Sequence, residues 1–139
     1  MTNNELLALA CIARENAYAP YSGFWVGAAL LSDNGKAYTG CNVENASYSA
    51  TCCAERVAFG SAIAAGESRF SKIAIVGGKA HTKPTAPCMP CGICRQVMAE
   101  FCDESFEIIV TDGKSISSYS LSELLPHSFA KSALGSTEE

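Results

Sequence analysis

The sequence predicts a single α/β domain, a three-layer α/β/α arrangement around a mixed sheet of mostly five strands. The length of 139 residues fits one ordinary domain. Stretches with apolar residues at helical spacing alternate with short β-rich runs. An N-terminal hairpin is followed by two successive β-α-β units, which predict parallel neighbouring strands and helices on both faces. We place the domain at residues 1–131 and expect residues 132–139 to be a polar C-terminal tail.

The first part of the chain predicts a helix and a hairpin. Apolar side chains recur at helical spacing over residues 4–16, and the breaker Tyr18–Gly23 ends this helix. Phe24–Leu31 has the composition of a strand. The turn signal Asn34-Gly35 connects this strand to a partner near Lys36–Cys41, which predicts an antiparallel pair.

The rest of the chain predicts two strand–helix alternations. Small residues at helical spacing follow Cys53 as far as Ala65, and Gly66 is a natural helix stop. Buried strands are expected at Ile73–Val76 and Phe106–Thr111, with a proline-containing loop and a helix starting near Cys91 between them. Two shorter elements complete the pattern, a strand at Ser115–Tyr119 and a turn at Ser122–Leu125.

Composition narrows the possible partners and location. Charged residues make up 17% of the chain, below the usual ~25%, so we expect subunit interfaces to cover part of the surface. The formal charge of −4, without a basic stripe, argues against nucleic acid. The apolar stretch Leu6–Ala13 has no basic segment before it and no run is long enough to span a membrane, so we predict a cytoplasmic protein.

The eight cysteines fall into a scattered group and a clustered group. In a reducing compartment, clustered cysteines more often bind metal than form disulfides. We expect the scattered Cys11, Cys41 and Cys102 to be small core residues.

The clustered cysteines predict a zinc site. Cys53 lies at a predicted helix start and is followed two residues later by Glu55, while Pro90-Cys91-Gly-Ile-Cys94 opens the next helix. Cys91 and Cys94 are one turn apart, so both sulfurs can reach one Zn²⁺. The order Cys-x-Glu and Pro-Cys-x-x-Cys is the signature of zinc nucleobase deaminases, in which three ligands leave a fourth position for water.

Two alternatives concern Cys88, which lies three residues before Cys91. Pairing Cys88 with Cys91 would place both ligands before the helix, so we favour Cys91 with Cys94. The second alternative is an iron–sulfur cluster bound by Cys88, Cys91 and Cys94. That motif would need a further cysteine at the position of Met98, so we do not favour it.

The chain resembles small homotetrameric cytidine deaminases of the all-cysteine zinc type over nearly its whole length. The matching stretches are Tyr18–Leu30 (YAPYSGFWVGAAL), Gly40–Tyr48 (GCNVENASY), Cys53–Arg56 (CAER), Pro90–Gln96 (PCGICRQ) and Leu124–Phe129 (LLPHSF). Two departures are Trp25, where the family commonly has a smaller residue, and the insertion carrying Cys88, which lengthens the proline loop.

The resemblance implies a reaction and a cofactor. It implies hydrolytic deamination of cytidine and deoxycytidine to uridine and deoxyuridine, with one Zn²⁺ per chain and release of ammonia. The implied zinc ligands are Cys53, Cys91 and Cys94, and Glu55 would shuttle protons. It also implies a homotetramer with shared active sites and a small nucleoside substrate.

Further site residues follow from the resemblance. Asn42 and Glu44, two apart after a strand, point to one side and would bind the ribose, while Phe24 and Ala54 would contact the substrate. Two aromatic residues, Tyr48 and Phe129, would complete a neighbouring subunit's site. Apart from the resemblance, the charge of three thiolates suggests a role for Arg56, next to Glu55, and Arg95, next to Cys94, as donors of hydrogen bonds to sulfur.

Two rival functions stay open at this point. One is a deaminase of another amino-heterocycle or of an aminoacylnucleoside antibiotic, against which the sugar-binding pair argues. The other is a non-catalytic structural zinc module with Cys52 or Cys88 as fourth ligand.

Overall fold

The computed structural model describes residues 1–135 and contains a five-stranded sheet. The strands are β1 (Phe24–Ser32), β2 (Ala37–Cys41), β3 (Phe70–Lys79), β4 (Glu107–Thr111) and β5 (Ile116–Ser120). The helices are α1 (Asn3–Arg14), α2 (Ala54–Ala64), α3 (Gly92–Phe101) and α4 (Leu121–Leu124). Each predicted element is present, and the strand order is β2-β1-β3-β4-β5.

The sheet is mixed, as predicted, but one predicted pairing is wrong. β3 and β4 are parallel neighbours, with Ile73 opposite Ile108. β1 pairs antiparallel with both β2 and β3. The β2–α2–β3 unit therefore joins two parallel strands that are not neighbours, because β1 lies between them. A β-α-β pattern in the sequence predicts that its two strands are parallel. It does not predict that they are neighbours, because an earlier strand, here β1, can lie between them.

Helices cover both faces of the sheet, which confirms the three-layer prediction. On one face α1 packs Leu6, Leu7 and Ala10 against sheet residues that include Ala29 and Val76. On the other face α2, α3 and α4 share a second core with the sheet. Of the small residues predicted to pack α2 on the sheet, Ala54, Ala58 and Ala62 are fully buried, whereas Ser61 and Ala65 are exposed.

Two glycines let helices lie directly on the sheet. A Cβ at Gly40 of β2 would collide with the Ala54 carbonyl and lie 2.6 Å from the Ala58 nitrogen. A Cβ at Gly27 of β1 would collide with the backbone of α1 at Ala10 and Arg14. The close approach at Gly40 fixes the N-terminus of α2, and with it Cys53, beside the end of the β1–β2 hairpin.

Three peripheral features complete the description. A short 3₁₀ helix at Lys131–Leu134 overlaps the start of the predicted polar tail, whose residues 136–139 lie outside the described part of the chain. Cys41 and Cys102 are partly buried, whereas Cys11 is exposed, so its prediction as a core residue is wrong. Among residues 1–135, no helix is long and apolar enough to cross a membrane.

Candidate active site

Three cysteine sulfurs meet where α2 and α3 begin. Cys53 is the N-cap of α2 and Cys91 is the N-cap of α3, and Cys94 lies in the first turn of α3. The Sγ atoms are 3.9 Å apart for Cys53 and Cys91, and 3.6 Å apart for Cys91 and Cys94. All three lie within 4.8 Å of one another. The two stretches that the sequence places 38 residues apart thus form one cluster.

This cluster fits a zinc ion. Tetrahedral ligands at a Zn–S distance of about 2.3 Å are separated by about 3.8 Å, which is close to the two measured sulfur separations. Thiolates are the donors that zinc prefers. Neither Cys52 nor Cys88 belongs to the group within residues 1–135, so the described protein offers three candidate ligands. A three-ligand set leaves the fourth position open, as catalytic zinc sites require.

Hydrogen bonding favours the anionic form of the Cys53 sulfur. The hydrogen bond with the Cys94 thiol lowers the pKa of Cys53 to about 5, with Arg56 and Cys91 acting in the same direction. Nη2 of Arg56 lies 3.4 Å from Cys53 Sγ. This contact follows from helical spacing, since positions 53 and 56 lie on one face of α2. Arg56 thus occupies the predicted place beside the sulfur, and its buried Nε has no partner within the described residues.

Glu55 is a buried carboxylic acid beside the cluster. Its side chain is 4% exposed and lines the cavity in front of the sulfurs. Burial raises the pKa of Glu55 to about 7. A carboxyl group whose pKa lies near 7 can both accept and donate a proton near pH 7.

The cavity has a volume of about 300 Å³ and joins the hairpin to both helix starts. Phe24, Asn42, Glu44 and Ala54, which the resemblance implies as substrate-binding residues, all line it. Its remaining wall comprises Ser22, Val26, Thr51, Cys53, Glu55, Cys88, Met89 and Cys91. The cavity therefore presents an aromatic ring, amide and hydroxyl groups, and two carboxyl groups to a ligand.

Comparison with known proteins agrees with this site. A family model described as the cytidine and deoxycytidylate deaminase zinc-binding region matches residues 1–110. The chain belongs to this deaminase family. A cytidine deaminase from Sporosarcina psychrophila is 46% identical over 140 residues, covering 100% of this chain and 99% of that protein.

Solved structures give the same result. The crystal structure of cytidine deaminase from Burkholderia pseudomallei is similar with a TM-score of 0.84 and 48% identity, covering 93% of this chain and 100% of that one. The crystal structure of cytidine deaminase from Mycobacterium tuberculosis is similar with a TM-score of 0.78 and 39% identity. The match covers 93% of this chain and 98% of that one. The predictions of the deaminase fold, of a zinc-dependent cytidine deaminase and of zinc as cofactor are confirmed.

The two residues predicted to bind sugar in this deaminase already hold the cavity wall together. Oδ1 of Asn42 accepts a hydrogen bond from the Val26 backbone N–H at 2.9 Å, and Nδ2 donates to the Phe24 carbonyl at 2.8 Å. Oε1 of Glu44 accepts from the backbone N–H groups of Tyr21 and Ser22. The Ser22 hydroxyl also donates to Glu44 and lowers the pKa of its carboxyl group. Both side chains therefore have fixed orientations before any ligand arrives.

Two predicted site residues lie outside this cavity in the single chain. Tyr48 is 75% exposed and packs edge-on against Tyr21 at 6.0 Å between ring centroids, beside an adjoining cavity. Phe129 is 62% exposed, and its carbonyl accepts a hydrogen bond from Gln96. Neither residue lines the cavity in front of the sulfurs in the described chain, and the role that the resemblance implies for them in a neighbouring subunit's site stays a prediction.

Arg95 does not contact the sulfurs, so the suggestion that it does is wrong. Its Nε donates to the Pro90 carbonyl at 2.8 Å and its Nη1 donates to the Leu124 carbonyl at 2.7 Å. Position 95 is about 100° around the helix from Cys94, so its side chain leaves the cluster. Arg95 instead connects the segment before Cys91 to the end of α4.

Cys88 lines the cavity wall and is no part of the sulfur cluster. Burial raises the pKa of its thiol to about 12, so it stays protonated. Ser22, Val26, Thr51 and Met89 also line the cavity and were missed by sequence reasoning. Ser22 had a signal, because it stands two positions before Phe24 in the matching stretch Tyr18–Leu30.

Proposed function

We propose that this enzyme acts on the free nucleosides cytidine and deoxycytidine, with Cys53, Cys91 and Cys94 as zinc ligands and Glu55 as the proton shuttle. The observation that carries the substrate proposal is the charge of the cavity wall. It has two carboxyl groups, Glu44 and Glu55, and no lysine or arginine among its lining residues in the described chain. Arg56 faces sulfur and Arg95 faces two carbonyls.

This charge distribution separates nucleosides from nucleotides. A 5′-phosphate would enter a cavity without a cation, and burying an unpaired dianion costs several kcal/mol. We therefore expect kcat/KM for CMP to be at least ~10²-fold below that for cytidine. Steady-state kinetics with both substrates decide the point, and equal specificity constants would reveal a phosphate site that we have not recognised.

The proposed chemistry assigns one task to each residue. Bound at the three sulfurs, zinc supplies a Lewis acid that makes water nucleophilic near neutral pH. Glu55 takes a proton from the attacking water and delivers it to N3 of the ring while oxygen bonds to C4. N4 then takes the remaining proton of the attacking water, the C4–N4 bond breaks, ammonia leaves and a carbonyl remains at C4. Arg56 holds the Cys53 sulfur, which limits the charge that three thiolates place on the metal.

The sugar is proposed to bind at Asn42 and Glu44. Each side chain is held by hydrogen bonds to the backbone at one end of the cavity and still has acceptor or donor capacity left for hydroxyl groups. Free cytosine would leave both groups desolvated without a partner, so we expect it to be a poor substrate. Efficient cytosine turnover would contradict this role.

A direct assay tests the activity and its metal dependence together. Ammonia release from cytidine should be lost on treatment with a chelator and recovered on addition of zinc. A panel that adds aminoacylnucleosides and other amino-heterocycles distinguishes the rival substrate class. Zinc retention without any ammonia release would instead favour a structural zinc module.

We further propose a cytoplasmic homotetramer with shared active sites. Large side chains around the cavity are exposed in the single chain, including Tyr18, Tyr21, Val43 and Tyr48. If Phe129 completes a neighbour's site, chains carrying Phe129→Ala and chains carrying Glu55→Gln should regain activity when mixed and allowed to exchange. Sedimentation of a fully active monomer, or mixing without any gain in activity, would contradict the proposal.

A further inference from the structure

A second cavity lies on the α1 face of the sheet, away from the sulfurs. It has a volume of about 360 Å³ and joins the end of α1 to β1 and to the loop after β3. Its lining residues are Cys11, Arg14, Glu15, Trp25, His81, Thr82, Lys83 and Pro84. None of these residues lines the catalytic cavity.

Strand alternation separates the two cavities. Phe24 and Val26 line the catalytic cavity, so Trp25 between them points to the opposite face of β1. Two adjacent glycines of β3 follow the same alternation. A Cβ at Gly77 would lie 2.9 Å from Cβ of Cys88, on the catalytic side, whereas one at Gly78 would lie 3.3 Å from Arg14 Nη2. The sheet therefore stands between the two sites.

Arg14 brings a buried cation to this second cavity. The residue is 4% exposed, and its guanidinium donates from Nε to the Trp25 carbonyl at 3.0 Å and from Nη2 to the Lys79 carbonyl at 2.9 Å. Its guanidinium carbon also lies 5.9 Å from the centroid of the Trp25 ring. Within residues 1–135, Nη1 donates to no protein atom. The group is thus fixed in orientation and keeps a donor free.

The loop after β3 closes the cavity with further polar groups. His81 has a backbone φ of +65°, in the left-handed region that residues other than glycine rarely adopt. Its ring packs edge-on against Trp25, with 4.6 Å between centroids. Thr82 and Lys83 follow at the exposed rim, and Glu15 is the acidic group that faces them. The contact with Trp25 holds His81 in this strained backbone conformation, so the loop has a defined position beside the cavity.

We propose that this second cavity binds a phosphate group, either as inorganic phosphate or as a phosphate ester. The Arg14 guanidinium has Nη1 free to donate to a phosphate oxygen, because Nε and Nη2 are held by backbone carbonyls, and the Lys83 ammonium adds a second positive charge at the rim. Two cations face one carboxylate, so the site is net positive, in contrast to the catalytic cavity. Its phosphate is therefore bound away from the reacting nucleoside.

Trp25 reports on this site because it is the one tryptophan of the chain. The zinc-loaded protein is titrated with inorganic phosphate and, separately, with ribose 5-phosphate at constant ionic strength maintained with chloride. Ribose is the neutral control. Trp25 emission is followed, and isothermal calorimetry gives the same Kd independently. Saturation by phosphate alone identifies the free ion as ligand, and saturation by ribose 5-phosphate identifies an ester; either supports the proposal.

Three variants test whether the charges of this cavity govern binding. Lys83→Ala should weaken binding about two- to fivefold, as for loss of one exposed charged partner. Glu15→Gln should tighten it about twofold, because it removes the opposing charge. Lys36→Ala is the matched control, since Lys36 lies beyond the opposite end of β1 and should change Kd by less than about twofold.

Several outcomes would overturn the proposal. One is the absence of saturable binding by both emission and calorimetry. Another is an equal response to ribose, which carries no phosphate. A third is an equal loss of affinity in Lys36→Ala and Lys83→Ala, because it would indicate general charge attraction and an adventitious ion only. Weaker binding in Glu15→Gln would likewise contradict an anion at this position.

Discussion

The helices of this deaminase begin in two different ways. α1 and α4 each start with a complete capping box. In α1 the Thr2 hydroxyl accepts from the Glu5 N–H at 3.1 Å while Glu5 accepts from the Thr2 N–H at 2.8 Å. Ser120 and Glu123 form the same pair in α4. α2 and α3 instead have a cysteine at the N-cap, and neither cysteine makes a side-chain cap hydrogen bond.

We interpret this difference as a loss of helix-capping stability at the two positions where we propose that zinc binds. A serine or threonine N-cap contributes about 0.5–2 kcal/mol to stability. Cysteine at 53 and 91 lacks that contribution, but the exposed N–H groups and the positive helix ends favour thiolates there. We therefore expect zinc to supply in α2 and α3 the stabilisation that the capping boxes supply in α1 and α4.

The largest expected effect is loss of the metal. Cys53→Ala, Cys91→Ala and Cys94→Ala should each lose most of the zinc, and with it the activity, because two sulfurs bind zinc much more weakly than three. Zinc content per chain after desalting is the measurement. Cys88→Ala is the matched control and should retain zinc, since its thiol lies outside the cluster. Zinc loss in Cys88→Ala with retention in Cys94→Ala would contradict the ligand assignment.

The next largest effect is on turnover alone. Glu55→Gln should keep fold and zinc but slow deamination by ~10²–10⁴, the usual range for a lost general acid–base group. Exposed Glu100 on α3 provides the control, and Glu100→Gln should leave kcat within about twofold. Near-normal turnover by Glu55→Gln would remove this residue from the proton transfers.

The capped helices should respond only in stability. Thr2→Ala should lower the free energy of unfolding by about 1 kcal/mol, with zinc content and kcat unchanged. Thr2→Ser keeps the hydroxyl and should restore most of the difference. Urea unfolding at one fixed protein concentration measures both variants, because assembly would otherwise shift the apparent stability. Loss of zinc in Thr2→Ala would show that the two kinds of helix start are not independent.

Sequence patterns predicted the parts of this site that depend on local spacing. The offset between Cys53 and Glu55 and the single turn between Cys91 and Cys94 are properties of short segments, so the structure reproduces them directly. Arg95 illustrates the limit, because adjacency to Cys94 in sequence means a different direction on a helix. Only helical geometry, not proximity along the chain, decides which side chain reaches the sulfurs.

Long-range arrangement was harder to predict. The insertion of β1 between β2 and β3 depends on packing between segments about 45 residues apart, which no local pattern encodes. The same holds for the cavity around Arg14, where Trp25 and His81 meet only because β1 pairs with β3. Cys11 was misassigned for a related reason, since α1 turns that side chain toward the rim of this cavity rather than the core.

The smallest expected effect comes from replacing the proposed zinc ligand Cys91 with serine, a residue that caps helix N-termini. Cys91 has the extended backbone of an N-cap, with φ −72° and ψ 171°, so a serine there can accept from the free N–H groups of the first turn. In metal-free protein, Cys91→Ser should therefore raise the free energy of unfolding by about 0.5–1 kcal/mol relative to the metal-free parent. In the presence of zinc the order should reverse, because the parent alone gains the full free energy of metal binding. Paired urea titrations with and without chelator measure both differences. A metal-free Cys91→Ser protein that is less stable than its parent would show that cysteine is already the better cap at this position. The contrast between the two kinds of helix start would then have no energetic basis at α3.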